Sequence, residues 1–323
     1  MLKSSYLELY QTNSQAFQAK VEKAYKTLES CTLCPHNCKV NRLEGQIGTC
    51  KTGAKAEVYS FMAHHGEEPP ISGSRGSGTI FFSNCNLHCC YCQNYEFSQM
   101  GGGREVEPEE LAKIMLELQT RGCHNINFVS PTHVASQILQ GIWRAIPMGL
   151  EIPLVYNTGG YDNVEILKLF DGIIDIYLPD MRYNDAEIAL KLSGAKEYPK
   201  YNRLAIKEMW RQVPKAEFDQ NKVILRGMII RHLVLPNGLS GTSGIMKFLA
   251  NEVSKEVHVA LMSQYFPCFK ASKEPKLARR ITLQEYESAK GEMSKNGLKN
   301  GWFQDEHGLD RFQGINIKPN ITP

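Results

Sequence analysis

Three cysteines in the stretch CNLHCCYCQN have the spacing of an iron–sulfur site. Cys85, Cys89 and Cys92 form a CxxxCxxC triplet just after the apolar run at 79–83. Iron–sulfur clusters are normally held by cysteine thiolates, and short spacers let a single loop wrap one cluster. Three thiolates leave one iron of a 4Fe-4S cluster open, and catalytic metal sites keep a position free in the same way. The triplet therefore predicts a reactive cluster with an open iron.

The triplet has three simpler interpretations, namely a zinc knuckle, a disulfide pair and free core thiols. Zinc sites favour paired CxxC units with a second pair further along the chain, which an isolated triplet does not provide. Cys90 allows a second register, Cys85, Cys90 and Cys92, but that spacing matches no known metal pattern. We interpret Cys90 as a small buried hydrophobic residue.

A second cysteine set precedes the triplet in CTLCPHNC and GQIGTC. Cys31, Cys34 and Cys38 are closely spaced, and Cys50 follows across a loop that contains glycine. Four thiolates can close a tetrahedral site, so this set predicts a metal. Zinc or another structural role, an auxiliary iron–sulfur cluster and metal-free cysteines all stay open, because four thiolates suit zinc and iron alike. His36 lies in the same loop and is interpreted as a solvated side chain.

Composition sets limits on partners and location. The chain of 323 residues has 37 basic and 34 acidic residues, a near balance that gives no indication of nucleic-acid binding. No apolar run reaches the ~18 residues of a membrane span, and the first ten residues lack the apolar core of a secretory signal. We therefore expect a cytoplasmic protein in which clustered cysteines bind metal rather than form disulfides.

From residue 79 onward, short apolar runs alternate with longer amphipathic stretches, which is the pattern of a parallel α/β sheet. About six such units predict a partial barrel, in which chemistry gathers at the carboxyl ends of the strands. Strands are expected near 79–84, 125–130, 153–157, 173–178, 228–235 and 257–262. Helices are expected near 107–122, 133–147, 162–169, 200–212, 243–254 and 282–296.

Four parts of the chain are expected on this basis. Residues 1–30 form an N-terminal helix, and 31–78 form a cysteine-rich metal-binding segment. The last part of that segment, 64–78, is a Pro/Gly-rich connector that has no helical or strand period. Residues 79–300 form the barrel, and 301–323 form a C-terminal tail. Trp302 and Phe303 in that tail are interpreted as packing residues.

Several segments, in this order along residues 30–300, resemble the radical S-adenosylmethionine (SAM) enzymes. Within them the chain is most similar to the branch of the pyruvate formate-lyase activating enzyme, and there to the uncharacterised PflX-like group. The resemblance implies an α/β fold, a partial (β/α)6 TIM-like barrel with a small cysteine-rich extension. It rests on 65–82, the triplet with Gln93 and Asn94, 131–133, 156–161, 175–180 and 231–236.

The resemblance also implies which residues contact SAM at the open iron. Family members carry a SerGlyGlyGlu stretch after the second strand, where this chain has Ser130, Pro131, Thr132 and His133; the histidine replaces an acid, and we interpret it as a helix cap. Asp180 and Arg182 match an Asp-x-Lys pair that neutralises the SAM carboxylate, a surface ion pair being the simpler interpretation. The complete set of implied contacts is Tyr91, Asn94, Ser130, Thr132, Asn157, Thr158, Asp180, Arg182 and Gln264. Arg231 and His232 lie in an apolar strand, where a core histidine is as plausible as a site residue.

The implied reaction is reductive cleavage of SAM by an electron from flavodoxin or ferredoxin, giving a 5′-deoxyadenosyl radical that abstracts hydrogen. No catalytic residue beyond the cluster and SAM is implied. We expect an activase-like enzyme whose substrate is a protein or peptide, a glycyl radical enzyme in particular. A radical SAM enzyme of a small metabolite or nucleic acid is the first alternative, and a non-catalytic iron–sulfur electron carrier is the second.

Overall fold

The computed structural model describes residues 3–304, and within them it contains ten strands and ten α-helices. The strands are β1 Ala56–His64, β2 Ser77–Phe82, β3 Arg104–Val106, β4 Ile126–Val129, β5 Leu154–Thr158, β6 Ile176–Pro179, β7 Glu217–Phe218, β8 Ile224–Leu233, β9 His258–Met262 and β10 Gly301–Phe303. The helices are α1 Ser5–Lys26, α2 Pro69–Ser72, α3 Tyr95–Ser98, α4 Pro108–Thr120, α5 Ala135–Ala145, α6 Val164–Leu167, α7 Ala186–Ser193, α8 Tyr198–Gln212, α9 Thr242–Phe248 and α10 Leu283–Lys295.

One sheet runs through the molecule in the order β10-β9-β8-β6-β5-β4-β2-β1-β3, with β7 beside β8. The pairs from β2 through β4, β5, β6, β8 and β9 to β10 are all parallel, whereas β1 is antiparallel to both β2 and β3. Helices between successive parallel strands cover the sheet, as crossover connections require. The predicted α/β partial barrel with a cysteine-rich N-terminal region is confirmed.

The six predicted strands are all present, and their apolar side chains explain why. All six residues of β2 are buried, as expected for a strand covered on both faces. α4 begins at Pro108 with Glu109 and Glu110 in its first turn, where proline and acidic side chains suit a helix N-terminus. Its buried residues, Leu111, Ala112, Ile114, Met115 and Leu118, recur at helical spacing and face the core.

The structure corrects the sequence-based elements in three places. The connector expected at 64–78 without regular structure contains α2, and both of its ends belong to strands, β1 and β2. Because β1 pairs with β2, the sheet begins within the segment that we assigned to metal binding. The helix expected from residue 133 begins at Ala135, since the chain first makes a 3-10 turn over Pro131–Val134. Helix α7 was not predicted.

The N-terminal and C-terminal segments both pack onto the barrel. Helix α1 ends at Lys26 rather than near residue 30, and a 3-10 turn follows. The rings of Tyr10 and Phe17 pack edge-on against Trp143 of α5. At the other end, Trp302 in β10 pairs with Ala260 of β9, which agrees with a packing role. The predicted tail from residue 305 onward lies outside the described residues.

In residues 3–304, no helix combines the length and the apolar character that crossing a membrane would require. The cytoplasmic location stays a prediction.

Candidate functional site

A cavity opens at the carboxyl ends of the parallel strands, where α/β barrels place their chemistry. The volume of the cavity is about 190 Å³. Cys85, Cys89 and Cys92 all line it, although they lie on a loop rather than on a strand. The sheet therefore brings the predicted cluster ligands to the edge where residues from several strands meet.

The triplet loop is held in place by its backbone. Asn84 ends the run after β2 in a left-handed conformation (φ 69°), which turns the chain away from the strand direction. His88 and Cys90 then donate backbone hydrogen bonds to the carbonyls of Ser193 and Leu192, at 2.9 and 2.8 Å. Helix α7, which supplies both acceptors, thus anchors the loop that carries the three thiols.

Each sulfur of the triplet accepts or shares a hydrogen bond. The backbone N–H of Leu87 lies 3.4 Å from the sulfur of Cys85, and the Ser98 hydroxyl lies 3.1 Å from the sulfur of Cys92. The sulfur of Cys89 has two partners, which are Nη1 of Arg182 at 3.2 Å and the hydroxyl of Ser193 at 3.0 Å. Hydrogen bonds to the sulfurs are among the factors that tune an iron–sulfur cluster, so this set of donors fits one.

Cys89 is buried, Cys85 and Cys92 are partly buried, and this burial controls the charge of the thiols. Burial raises the pKa of Cys85 to about 12 and that of Cys92 to about 11. Iron must therefore displace protons when it binds, because only the thiolate is a ligand. Three thiols on one loop, with no fourth protein ligand in the motif, suit a 4Fe-4S cluster with an open iron better than a closed tetrahedral zinc site.

Cys90 does not belong to this site. It does not line the cavity, and its backbone carbonyl accepts a hydrogen bond from Lys270 at 2.9 Å. The side chain of Cys90 is half-buried, whereas it was expected from the sequence to be buried. The CxxxCxxC register is therefore the one that faces the cavity.

A network of charges around the buried Asp180 lines the same cavity as the thiols and reaches Cys89 through Arg182. Asp180 pairs with Arg182 (Nη2 to Oδ2, 2.5 Å) and with Arg231 (Nε to Oδ1, 2.7 Å). Burial alone would raise the pKa of Asp180, but Arg231 and Arg182 hold it below its usual range. Arg231 also donates to Oδ1 of Asn157 at 2.6 Å, and the Nδ2 of Asn157 donates to Glu67 at 3.0 Å. Asp180 is thus a buried carboxylate between two guanidinium groups, not a surface ion pair.

The structure brings eight of the nine predicted SAM contacts to the cavity. They are Tyr91, Asn94, Ser130, Asn157, Thr158, Asp180, Arg182 and Gln264. Ser130 adopts a left-handed backbone (φ 55°), an unusual conformation for a residue other than glycine and one that often occurs at functional sites.

Thr132, the ninth predicted contact, lies behind the wall instead. Its hydroxyl donates to Oδ1 of Asp162 at 2.7 Å, and the hydroxyls of Thr158 and Tyr156 donate to the same carboxyl group at 2.7 and 3.1 Å. Asp162 is buried, and a buried carboxyl group needs such partners. The hydrogen bond to the Asp162 carboxyl group therefore occupies the Thr132 hydroxyl.

Sequence reasoning missed two acidic residues of the connector. Glu67 and Glu68 line the cavity, and Glu67 lies 3.4 Å from Nη1 of Arg231. Burial raises the pKa of Glu68 to about 7, although Trp302 donates a hydrogen bond to it at 2.7 Å. The only signal in the sequence was a pair of acids in a Pro/Gly-rich stretch, which is also typical of a solvated loop.

His133 and His232, the two histidines considered in the sequence analysis, have structural roles. His232 is fully buried, and its ring nitrogens contact the carbonyl of Met181 at 2.7 Å and the hydroxyl of Thr242 at 2.9 Å. His133 is also buried; its Nε2 lies 2.9 Å from the carbonyl oxygen of Ser83, and it does not cap the helix that follows. Burial lowers the pKa of each histidine to about 4, so both are neutral at pH 7.

The N-terminal cysteines form a second group outside the cavity. Cys31, Cys34 and Cys50 are buried, Cys38 is partly exposed, and Cys34 interacts electrostatically with the other three. His36 is half-buried rather than solvated, since its Nε2 lies 2.8 Å from the carbonyl oxygen of Asn86 in the triplet loop.

Comparisons with known proteins agree with the site. The family model of the radical SAM superfamily matches residues 79–212. The uncharacterized protein MJ0674 of Methanocaldococcus jannaschii is 34% identical to this chain over 284 residues, which are 84% of this chain and 76% of the relative.

Two solved structures are similar in fold. HydG, a maturase of the [FeFe]-hydrogenase, matches with a TM-score of 0.50 and 12% identity over 97% of this chain and 69% of its own, and this likeness shows the fold alone. Methylornithine synthase (PylB) matches with a TM-score of 0.43 and 14% identity over 74% of this chain and 69% of its own, and no conclusion rests on it. The family model matches residues 79–212, and the relative MJ0674 matches 84% of this chain at 34% identity. The chain therefore belongs to the radical SAM superfamily, whose members bind a 4Fe-4S cluster and SAM.

Proposed function

We propose that this protein cleaves SAM reductively at a cluster on Cys85, Cys89 and Cys92 and abstracts hydrogen from a substrate in the cavity. One observation carries the proposal. The three thiols share one cavity with Asp180 and Arg182, at the carboxyl ends of the parallel strands. An electron carrier needs a cluster but no polar pocket beside it, so this arrangement favours an enzyme.

The residues of this chain bind, orient and shield the reacting groups. When bound, the cluster and SAM supply the electron transfer and the 5′-deoxyadenosyl radical. Arg182 offers a partly buried positive charge to the SAM carboxylate, and Asp180 fixes the direction of its guanidinium. Asn157 and Thr158 offer polar atoms on the adjacent strand, and the ring of Tyr91, within the loop, packs edge-on against Tyr183. We assign no acid, base or nucleophile to the protein itself.

We further propose that the substrate is a protein or peptide, as for an enzyme similar to the pyruvate formate-lyase activating enzyme and its PflX-like group. The support is the set of segments that resemble that branch, above all the connector at 65–82 and the triplet with Gln93 and Asn94. Gly66 and the two acids of the connector line the cavity, so the segment that carries the resemblance is part of the site. A small metabolite is the second candidate, because the polar lining with Asp180, Arg182 and Arg231 could also hold one. Flavodoxin or ferredoxin is the proposed electron donor.

The chemistry is tested by anaerobic reconstitution with iron and sulfide, followed by reduction and addition of SAM. We expect 5′-deoxyadenosine and methionine from the wild type, and none from a variant in which Cys85, Cys89 and Cys92 are alanine. Cys90→Ala is the matched control and keeps the activity. Intact SAM in the presence of a reduced wild-type cluster would support the electron-carrier alternative.

The substrate class is tested with cells of the source organism grown in D2O. Their extract is divided by ultrafiltration, and each fraction is added to the reduced enzyme with unlabelled SAM. Deuterium in 5′-deoxyadenosine from the macromolecular fraction, lost after protease treatment but kept after nuclease treatment, supports a protein substrate. Deuterium from the filtrate alone would support the small metabolite, and loss after nuclease treatment would indicate a nucleic acid.

A further inference from the structure

We propose that Cys31, Cys34, Cys38 and Cys50 hold a second iron–sulfur cluster, with Arg42 as its buried counter-cation. This site lies outside the cavity and belongs to the segment before β1. It does not depend on the proposed reaction, because it concerns the metal content of the chain and not its substrate.

The backbone folds the first three cysteines into one compact turn. The N–H of Cys31 donates to the carbonyl of Val40 at 2.9 Å, and the N–H of Lys39 donates back to the carbonyl of Cys31 at 3.0 Å. Asn37 and Lys39 adopt left-handed conformations (φ 48° and 56°), an energetically costly arrangement for residues other than glycine. These two residues therefore turn the chain sharply on either side of Cys38.

Gly48 closes the site around Cys38. A Cβ atom at Gly48 would lie 2.8 Å from the sulfur of Cys38, so glycine is required by contact and not by backbone conformation. The N–H of Thr49 also points toward that sulfur, at 3.5 Å. The loop that carries Cys50 is thus fitted against the sulfur of Cys38, as expected where backbone surrounds a cluster ligand.

Arg42 supplies the strongest evidence that the site is anionic. Its side chain is 2% exposed, and in the described part of the chain it has no carboxylate within ion-pair distance. Its Nη2 donates to the sulfur of Cys50 at 3.1 Å, its Nη1 donates to the carbonyl of His133 at 2.8 Å, and its Nε has no partner there. A buried charge without a counter-ion is strongly unfavourable. Four metal-bound thiolates would supply the missing negative charge.

Four thiolates suit zinc and an iron–sulfur cluster alike, so the donor set alone does not choose between them. We propose the cluster because His36, between Cys34 and Cys38, contacts the carbonyl of Asn86 in the loop that carries the triplet. The metal content of the protein separates iron from zinc at this site.

The second site is joined to the triplet loop by two contacts. His36, between Cys34 and Cys38, contacts the carbonyl of Asn86, and its ring packs edge-on against Tyr161 at 5.3 Å. Arg42 contacts the carbonyl of His133, whose ring in turn contacts the carbonyl of Ser83 at 2.9 Å. Ser83 and Asn86 lie on either side of Cys85, so both contacts link the N-terminal site to the triplet loop.

The decisive measurement is metal content after anaerobic reconstitution. We expect about eight irons and eight sulfides per wild-type chain, four for each cluster. The variant with Cys85, Cys89 and Cys92 changed to alanine is expected to keep about four irons and a cluster EPR signal that SAM does not alter. One zinc per chain with about four irons, or no metal at the N-terminal cysteines, would overturn the proposal.

Two glycines in the same loop give a matched pair of variants. Gly48→Ala pushes against Cys38 and is expected to remove about four irons while the SAM-sensitive EPR signal remains. Gly53→Ala meets nothing within 4 Å and is expected to keep both clusters. Arg42→Met removes the counter-cation and should also lose the second cluster selectively. Full iron content in both Gly48→Ala and Arg42→Met would contradict the assignment.

Failure of this proposal can be separated from failure of the proposed function. Iron and zinc content report on the N-terminal site without any turnover. SAM cleavage reports on the triplet. A chain with one cluster that still cleaves SAM would overturn only the second cluster.

Discussion

The guanidinium of Arg182 donates a hydrogen bond to the sulfur of Cys89 across 3.2 Å. The same side chain pairs with Asp180, so a single arginine links a cluster thiol to the buried carboxylate of the fourth parallel strand of the barrel. A cation beside a cluster stabilises the reduced, more negative state. We therefore propose that Arg182 both contacts SAM and tunes the cluster.

Replacing Arg182 by methionine should make the cluster harder to reduce. Loss of a charge-assisted hydrogen bond is expected to lower the midpoint potential by about 60 mV or more and to reduce SAM cleavage at least tenfold. Potentiometric EPR titration measures the first effect, and 5′-deoxyadenosine formation measures the second. Arg211→Met, at the exposed pair with Asp171, is the control. An unchanged potential would contradict a role of Arg182 in tuning the cluster.

Ser193→Ala tests the other hydrogen bond to Cys89 without changing charge. The Ser193 hydroxyl lies 3.0 Å from the sulfur and 2.6 Å from the hydroxyl of Tyr183, which continues to Tyr91 at 2.5 Å. We expect a smaller fall in potential, about 20–60 mV, with full iron content. Ser136→Ala, a buried serine without a hydrogen-bond partner in the described residues, should leave the potential unchanged. Equal potentials for the two variants would refute the effect.

Asp180→Asn should destabilise the fold, because it leaves Arg182 and Arg231 buried without their shared carboxylate. Removing one partner of a buried ion pair costs about 3 kcal/mol of unfolding free energy. Anaerobic urea denaturation of the metal-free protein measures it, with Asp171→Asn as the surface control. The folded-state pKa of Asp180 is lowered, so its contribution is present at neutral pH and disappears as pH falls through that lowered pKa. A loss no larger than that of the control would contradict the network.

The raised pKa of Glu68 predicts a pH dependence of stability opposite to that of Asp180. Burial raises its pKa to about 7, above that of the unfolded chain, so the folded state holds the proton more tightly. Stability should therefore fall as pH rises from about 4.5 to 7, and Glu68→Gln should remove that slope. At pH 8 we expect the variant to be more stable than the wild type by about 3 kcal/mol. Parallel stability curves across pH 5–8 would show that Glu68 does not titrate in this range.

The sequence by itself determined the chemistry-bearing triplet and the architecture around it. Cys85, Cys89 and Cys92 could be recognised because cluster ligands on one loop need a fixed local spacing, which is visible in a one-dimensional pattern. Six of the seven parallel strands could be recognised because strands covered on both faces are continuous apolar runs. Strand β1 was missed, since it lies before the βα repeat, pairs antiparallel with β2 and β3, and has a mixed burial pattern.

Only the tertiary structure decided which polar residues reach the cavity. Thr132 and Thr158 both donate to Asp162, yet only Thr158, at the end of β5, also lines the cavity. Glu67 and Arg231 are 164 positions apart and meet only because the connector folds over the sheet. The burial of Arg42 against Cys50 is equally invisible in sequence, because burial and counter-charge are properties of the packed chain. Local spacing determines which atoms can bind a metal, and packing determines which charges surround it.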